Sequence, residues 1–575
     1  MRISRFYLLQ AVVFLALLFL ALSLFHVQVL KGHYYRDLSI RNHIRLIPIE
    51  ASRGRVFDRS GRLLATNRVS YDVVAFPEDV TPEVYPTLAK LLDMKEKEVR
   101  YRMSAGREYP FAPALIKPDI PKSLAILIEE RKPELPGVAI RIGGVRHYPY
   151  GETASHVIGY IQAINGEEYE RLDRDRFGIH SMIGRMGIEK YFDDTLRGWR
   201  GGEQIEVDAR GRMVGVLSRR PAEPGSDLHL TLDLDFQQKI MELIKDQRAS
   251  VAVIDLETEG LLAMASSPAY DPNIFVSPSA SARRLSVLTD VQSPMIDRSI
   301  GAAYPPGSIF KLVTALAALE VGKITPQTRF FCNGRFKLGK SGRVARCWFE
   351  EGHGSINLYQ AIERSCNVYF YNVATKLTPE EIAKYAHELG LGEPMRLEIS
   401  KLAPGLIPDS AWKRARFKQP WYQGETINMA IGQGYVLVTP LEILRLTSII
   451  AKNGKFVDPH LVQNNEYEES SRDRVAIREE NLDVIKKAML QVVESDYGTG
   501  QLARVDFGKL AAKTGTAQTP PLKAHGWMTG FFPYKDPKIA FVVFVEHGGS
   551  GGIAGARIVK QLIELWKGSY VPKIA

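Results

Sequence analysis

Cysteine is scarce in this chain: three residues in 575, all of them between Cys332 and Cys366. A disulfide framework spread through the fold is therefore excluded, and whatever the cysteines do, they do in one place. Internal repeats and low-complexity tracts are also missing, which argues against solenoids and disordered tethers. No nucleic-acid motif occurs. The net charge of +10 comes from basic residues interleaved with acids, a solvated surface suited to anionic lipids and acidic polymers. Charge is absent altogether from Phe6 to Leu30. As a helix rising ~1.5 Å per residue, that run outreaches a ~30 Å hydrocarbon core. Arg2 and Arg5 precede it. A signal peptide cleaved near Ala21-Leu22-Ser23 is the alternative to an uncleaved anchor, but the apolar run continues past that point. Lys31, Arg36, Arg41 and Arg45 follow the span, so charge bias alone does not place the N-terminus in the cytoplasm.

What is present describes a folded protein of more than one domain. Apolar residues make up 45% and charged residues 24%, and the chain is too long for one core. Residues 1–30 read as a short tail and anchor, and 31–217 as a module of short strands and charged helices. Arg219–Asp227, rich in proline and glycine, reads as a linker. Residues 228–575 form the second module. In it, Leu228–Leu234 reads as a strand and Phe236–Lys245 as a helix. Ser250–Ser266 reads as a strand pair turning at Glu257–Gly260. Three late strands (Ala511–Ala517, Trp527–Pro533, Ile539–Glu546) precede an amphipathic helix, Ala554–Trp566. This order predicts an α+β fold whose sheet is assembled from both ends of the domain. The chain stops soon after that helix, so no appended C-terminal module is expected. The first module carries no second catalytic constellation.

Three motifs stand in order in the second module: Ser308-Ile-Phe-Lys311, Ser365-Cys366-Asn367 and Lys513-Thr514-Gly515-Thr516. A serine with a base one helical turn away, a polar bridge and a cationic strand make a serine acyl-transfer site. Each has a decoy. Ser410–Lys413 leads into a charged stretch and reads as a cap or loop. Ser355–Asn357 is explained by a helix N-cap at Ser355. Lys340–Gly342 reads as a turn. Ser308 instead follows Tyr304-Pro-Pro-Gly307 and opens an apolar helix. Lys311 can serve as base only when neutral, against an ordinary pKa of ~10.4, and burial beside a second cation, Lys513, would lower it.

With these motifs the chain resembles the penicillin-recognising serine enzymes, and more narrowly the penicillin-binding protein 2 family of class B, monofunctional peptidoglycan D,D-transpeptidases of cell elongation. Arg53–Ala65, Arg146-His-Tyr-Pro149, Gly187-Ile-Glu189-Lys-Tyr191 and Gly432-Gln-Gly434 extend the resemblance over nearly the whole chain. By itself, Arg53–Ala65 reads as a β-hairpin turning at Asp58–Gly61. The resemblance implies an N-terminal transmembrane helix, an elongated mixed α/β pedestal of the dimerisation type, and a penicillin-binding transpeptidase domain with a central antiparallel sheet flanked by helices. It implies Ser308 as nucleophile, Lys311 as base and Ser365 as proton relay. It assigns Asn367 to the substrate backbone, and Lys513, Thr514 and Thr516 to the terminal carboxylate. Gly515 allows close approach, and the N–H groups of Ser308 and Thr516 form the oxyanion hole. The implied substrates are peptidoglycan stem peptides ending in D-Ala–D-Ala, with β-lactams as inhibitors. The implied partners are the membrane and a membrane-embedded glycan polymerase of the shape, elongation, division and sporulation family. The implied location is the inner (cytoplasmic) membrane, single-pass, with the catalytic domain outside. Rival readings are a D,D-carboxypeptidase or β-lactamase using water, a β-lactam sensor with a vestigial site, and a role in division.

Cys332, Cys347, His353 and Cys366 follow the pattern C-x14-C-x5-H-x12-C. Three thiolates and an imidazole suit a tetrahedral structural zinc, and zinc in this region occurs among proteins resembling the family. A Cys332–Cys347 disulfide with a buried Cys366 thiol is the alternative. No organic cofactor is expected.

Overall fold

The computed structural model describes residues 5–570 apart from 36–43, 106–112, 174–175, 179–180, 208–212, 340–342, 400–401 and 464–471. The Lys340–Gly342 turn and the basic residues Arg36 and Arg41 lie outside the described residues. The apolar run is α-helical over Arg5–Phe25 and continues in wider π turns over His26–Leu30. Its Tyr7–Leu30 portion has a mean hydropathy of 2.7 and none of it is buried. An unburied apolar helix of this length fits a single-pass membrane anchor.

The first module is built on the long strand Leu63–Ala75. It pairs antiparallel with Val56–Phe57, with Ala114–Ile120 and with Val138–His147. A separate three-stranded sheet pairs Ile44–Ile49, the first strand after the anchor, with Gly201–Val207, which pairs in turn with Met213–Arg220. The expected hairpin at Arg53–Ala65 is present in short form. Asp58 is fully buried in its turn and accepts the N–H groups of Ser60 (2.9 Å), Arg62 (2.8 Å) and Leu234 (3.3 Å). The last of these ties the turn to the first helix of the second module, Leu234–Ile244.

Two expectations are corrected here. The strand at Leu228–Leu234 shrinks to Leu228–His229 and pairs parallel with Val56–Phe57, so it completes the first module's sheet. Arg219–Asp227 is no free linker. Gly225 N–H bonds Ser52 O (2.9 Å), Ser226 N–H bonds Thr195 O (3.0 Å) and Asp227 pairs with Arg55 (2.7 Å). Proline and glycine mark a chain without a ladder of its own, and here its backbone groups are satisfied by neighbours.

Beneath that junction lies a buried ion cluster. Glu189 takes Arg53 Nε at 2.7 Å and Arg146 Nε at 2.6 Å, and Tyr148 Oη donates to it at 3.3 Å. Arg53 also pairs with Asp193 at 2.9 Å. Burial pushes the Glu189 carboxyl up, but the two guanidiniums outweigh it and hold it below its ordinary value. Thus three family-like segments, at Arg53, Arg146 and Glu189, meet in one network.

The second module has a five-stranded, wholly antiparallel sheet in the order Leu261–Ser267, Ala249–Asp255, Ile539–Val545, Leu522–Phe532, Ala511–Thr519. It is assembled from both ends of the domain, as the strand order in the sequence predicts. Its strands read as unbroken apolar runs because both faces are covered. Val251, Val253, Phe541 and Val543 face one core with the helices Leu234–Ile244 and Ala554–Tyr570. Ala252, Ile254, Val542 and Phe544 face the other, with the helices Lys311–Glu320 and Pro440–Ala451. The motif strand Ala511–Thr519 is left at the sheet edge, facing the helices that carry the other two motifs.

Candidate active site

The Ser308–Lys311 motif starts a helix as expected, but its first turn is tighter: a 3-10 turn over Gly307–Phe310 precedes the α-helix Lys311–Glu320. Gly307 has φ +54°, and a Cβ there would lie 2.7 Å from Thr516 O. A Cβ on Gly432, at φ +69°, would lie 2.2 Å from Gly307 O. Gly307 N–H in turn bonds Gly432 O at 3.0 Å. Only glycines let these backbones approach, and the contact seats the serine turn against the motif strand. Gly515 serves similarly, since its Cβ would meet Pro306 O at 2.9 Å.

Ser365 lies between the helices Leu358–Glu363 and Asn367–Ala374, with φ +53°, a left-handed conformation rarely held by a serine. That conformation directs its hydroxyl between two ammonium groups. Lys311 Nζ lies 3.2 Å from Ser365 Oγ, and Lys513 Nζ lies 3.1 Å from the same oxygen. Lys311 Nζ also donates to Ser365 O and Asn367 Oδ1, both at 2.7 Å. Lys513 donates to Thr514 O at 2.8 Å. Ser308 opens onto the same cavity of about 1280 Å³, lined also by Ser365, Asn367, Thr514 and Thr516. Segments some 200 residues apart in the sequence thus converge on one hydroxyl.

Both lysines are fully buried. Burial lowers the pKa of Lys311 to about 8, against the opposing pull of Cys366 and Cys347. Burial, then the charge of Lys311, pushes Lys513 well below its ordinary value. The sequence reading names burial and the Lys513 cation together as the causes for Lys311. In the structure burial lowers Lys311 and the repulsion between the two amines falls on Lys513. Two ammonium groups sharing one hydroxyl resist holding both charges.

Two of the three decoys lie among the described residues. Ser410 begins the helix Ser410–Phe417, whose cap is Asp409, and it bonds Glu380 while Lys413 pairs with Glu425. Ser355 is not an N-cap. It sits in the strand Gly354–Ile356, and Asn357 caps the next helix through a capping box with Gln360. Thr499, whose Oγ1 lies 2.6 Å from Thr514 Oγ1, escaped the sequence reading because no local motif marks it.

The sulfurs of Cys332, Cys347 and Cys366 and a ring nitrogen of His353 lie within 4.8 Å of one another. The three cysteines are free thiols, so the Cys332–Cys347 disulfide is not formed. Cys332 Sγ and Cys347 Sγ are each 3.6 Å from His353 Nδ1, and Cys347 Sγ is 4.0 Å from Cys366 Sγ. A tetrahedron with Zn–S of ~2.3 Å and Zn–N of ~2.0–2.1 Å has edges of roughly 3.5–3.8 Å, so donor types and spacing fit. Without a cation, the hydrogen bond between the two sulfurs holds Cys347 far below the usual thiol range, while that bond and burial push Cys366 up.

Motif order, fold and cleft together define a serine acyl-transfer enzyme of the penicillin-recognising class. The penicillin-binding protein transpeptidase domain matches residues 249–564, and the penicillin-binding protein dimerisation domain matches residues 48–230. The peptidoglycan D,D-transpeptidase MrdA of Haemophilus influenzae is 32% identical, over 96% of this chain and 90% of that protein. A complex between penicillin-binding protein PBP2 and MreC from Helicobacter pylori contains a chain of the same fold. Its TM-score is 0.81 at 28% identity, covering 91% of this chain and 99% of that one. A peptidoglycan synthase complex that coordinates polymerisation and crosslinking contains another, with a TM-score of 0.73 at 29% identity, covering 98% of this chain and 99% of that one. The chain belongs to the penicillin-binding protein 2 family.

Proposed function

We propose that this chain is a membrane-anchored serine D,D-transpeptidase that cross-links peptidoglycan stem peptides during cell elongation and is acylated by β-lactams. The observation that carries the proposal is the pair of buried lysines sharing the Ser365 hydroxyl beside Ser308. In this reading neutral Lys311 takes the Ser308 proton as Ser308 Oγ attacks the penultimate D-alanine carbonyl. The C–N bond breaks, and Ser365 passes a proton to the departing D-alanine amine. An amine of a second stem peptide then attacks the ester, forming the new amide and restoring Ser308. Asn367 holds the donor backbone. Lys513, Thr514 and Thr516 hold its terminal carboxylate, and Gly515 lets it lie against the strand. The N–H groups of Ser308 and Thr516 stabilise the oxyanion, each worth ~2.7–4 kcal/mol.

The catalytic module works outside the cytoplasmic membrane, where this substrate lies, which puts the N-terminus in the cytoplasm. A membrane-embedded glycan polymerase of the shape, elongation, division and sporulation family is the proposed partner. The relative found in a complex for polymerisation and crosslinking supports this. Serine acyl transfer needs no organic cofactor. Cys332, Cys347, His353 and Cys366 are proposed to hold one structural Zn(II), which neutralises the thiolates and ties the 332–353 excursion to Ser365–Asn367. Metal analysis of protein purified without chelator is expected to find about one zinc per chain. A Cys332–Cys347 bridge in the mass spectrum would contradict it.

The test of function is incubation with a stem-peptide donor and an amine acceptor. Cross-linked product and free D-alanine are expected from the unaltered chain, and neither from Ser308→Ala. Hydrolysed donor without cross-links would favour a carboxypeptidase.

A further inference from the structure

One wall of the catalytic cavity is the hairpin of Arg335–Leu338 and Arg343–Arg346, and no step above uses its charges. Its register sets Arg335 opposite Arg346 and Lys337 opposite Val344. Phe336, Leu338 and Ala345 pack against the core, so Arg335, Lys337, Val344 and Arg346 share the outer face, all exposed. Two arginines directly opposed across a ladder repel each other. Asn333 Oδ1 accepts from the backbone N–H of Arg335 at 3.2 Å, but among the described residues no carboxylate pairs with the charged groups of Arg335, Lys337 or Arg346. The backbone under Arg346, by contrast, is fixed. Its carbonyl accepts from Asn367 Nδ2 at 3.4 Å and from Tyr371 Oη at 3.3 Å. The next residue's N–H bonds Gly334 O at 2.9 Å. Of the basic residues at the cavity, Lys311 and Lys513 are fully buried and Arg346 is exposed, and Glu425 is the one carboxylate among the described lining residues. Glu425 is already engaged by Lys413 and by the N–H of Tyr422. An unpaired guanidinium therefore stands on a rigid mount beside Asn367, with repulsion from its neighbour unrelieved until an anion arrives.

We infer that Arg346, flanked by Arg335 and Lys337, binds a carboxylate of the donor stem peptide upstream of its terminal residue pair. The inference rests on the transpeptidase reading and adds a specificity determinant to it. Continuity with Asn367, which holds the donor backbone in that reading, selects the donor as the occupant. A guanidinium suits the role because it grips a carboxylate through two parallel N–H bonds.

The test uses two synthetic donors ending in D-alanyl-D-alanine, one with free upstream carboxylates and one with these converted to carboxamides. D-Alanine release by the full chain is measured. The unaltered chain is expected to prefer the carboxylate donor by about 10-fold in kcat/KM, the scale of one hydrogen bond to a charged group. Arg346→Gln should erase the preference by slowing the carboxylate donor alone, and Arg346→Lys should retain part of it. Acylation by a fluorescent penicillin should stay unchanged in both variants, which shows that fold and nucleophile are intact. A preference that survives Arg346→Gln overturns the inference. So does its absence in an unaltered chain that still releases D-alanine from both donors, and either result leaves the transpeptidase reading standing. No release from either donor by the unaltered chain would remove that reading and this inference together.

Discussion

Replacing Lys311 with methionine should slow acylation of Ser308 by ~10²–10⁴, the usual contribution of a positioned general base. Methionine keeps the length and apolar stem of the buried side chain, so the loss reports the amine rather than a cavity. The amine bonds Ser365 O, Ser365 Oγ and Asn367 Oδ1; Lys513 still reaches Ser365 Oγ, but the buried Ser365 O loses this donor, at ~1–3 kcal/mol. A melting curve separates that structural cost from the kinetic one. The pH profile gives the sign. Burial brings the pKa of Lys311 down to about 8, and the proposed proton acceptor is the neutral form. Acylation should therefore rise with pH through about 8 and level off above it. The Lys311→Met profile should lack that rise. Unchanged acylation rates in the variant would remove Lys311 as the base.

The largest stability effect is expected at the junction of the two modules. Glu189→Gln keeps the shape of the buried ion cluster but strips the charge that balances Arg53 and Arg146. The side chains of Arg146 and Glu189 are both 0% exposed. Breaking a buried pair leaves an uncompensated charge away from water, at ~3–5 kcal/mol. Calorimetry should show the transition of the first module fall by roughly 10 °C. Glu96→Gln is the matched control, because its partner Arg100 sits 2.7 Å away on an open helix surface. An exposed pair contributes ~0–1 kcal/mol, so that variant should melt as the unaltered chain does. Acylation below the transition should survive both changes. A Glu189→Gln protein with unaltered melting would show that the network does not hold the junction.

Legibility followed range. Strands such as Ile539–Val545 were readable because seven successive residues are apolar and buried on both faces. Ser308, Ser365 and Lys513 were readable because each motif carries its own local context. Ser355 misled, because a serine before an apolar helix mimics a cap when the true cap, Asn357, stands two residues later. The junction was the least visible. Arg53 and Arg146 meet Glu189 across 136 and 43 residues, and no periodicity encodes a contact of that range. The proline and glycine of Arg219–Asp227 suggested a linker, but its partners lie on distant backbone. Arg346 is illegible for a related reason: an arginine in a short basic strand looks solvated until the fold sets it on the cavity wall.

The central claim is that one hydroxyl, Ser308, carries the acyl group. Reaction with a penicillin, proteolysis and peptide mapping by mass spectrometry tests it most directly. The account predicts the added mass on the peptide containing Ser308, at Ser308 itself, and no adduct after Ser308→Ala. An adduct on Ser365 or Ser410, or one that persists in Ser308→Ala, would contradict it.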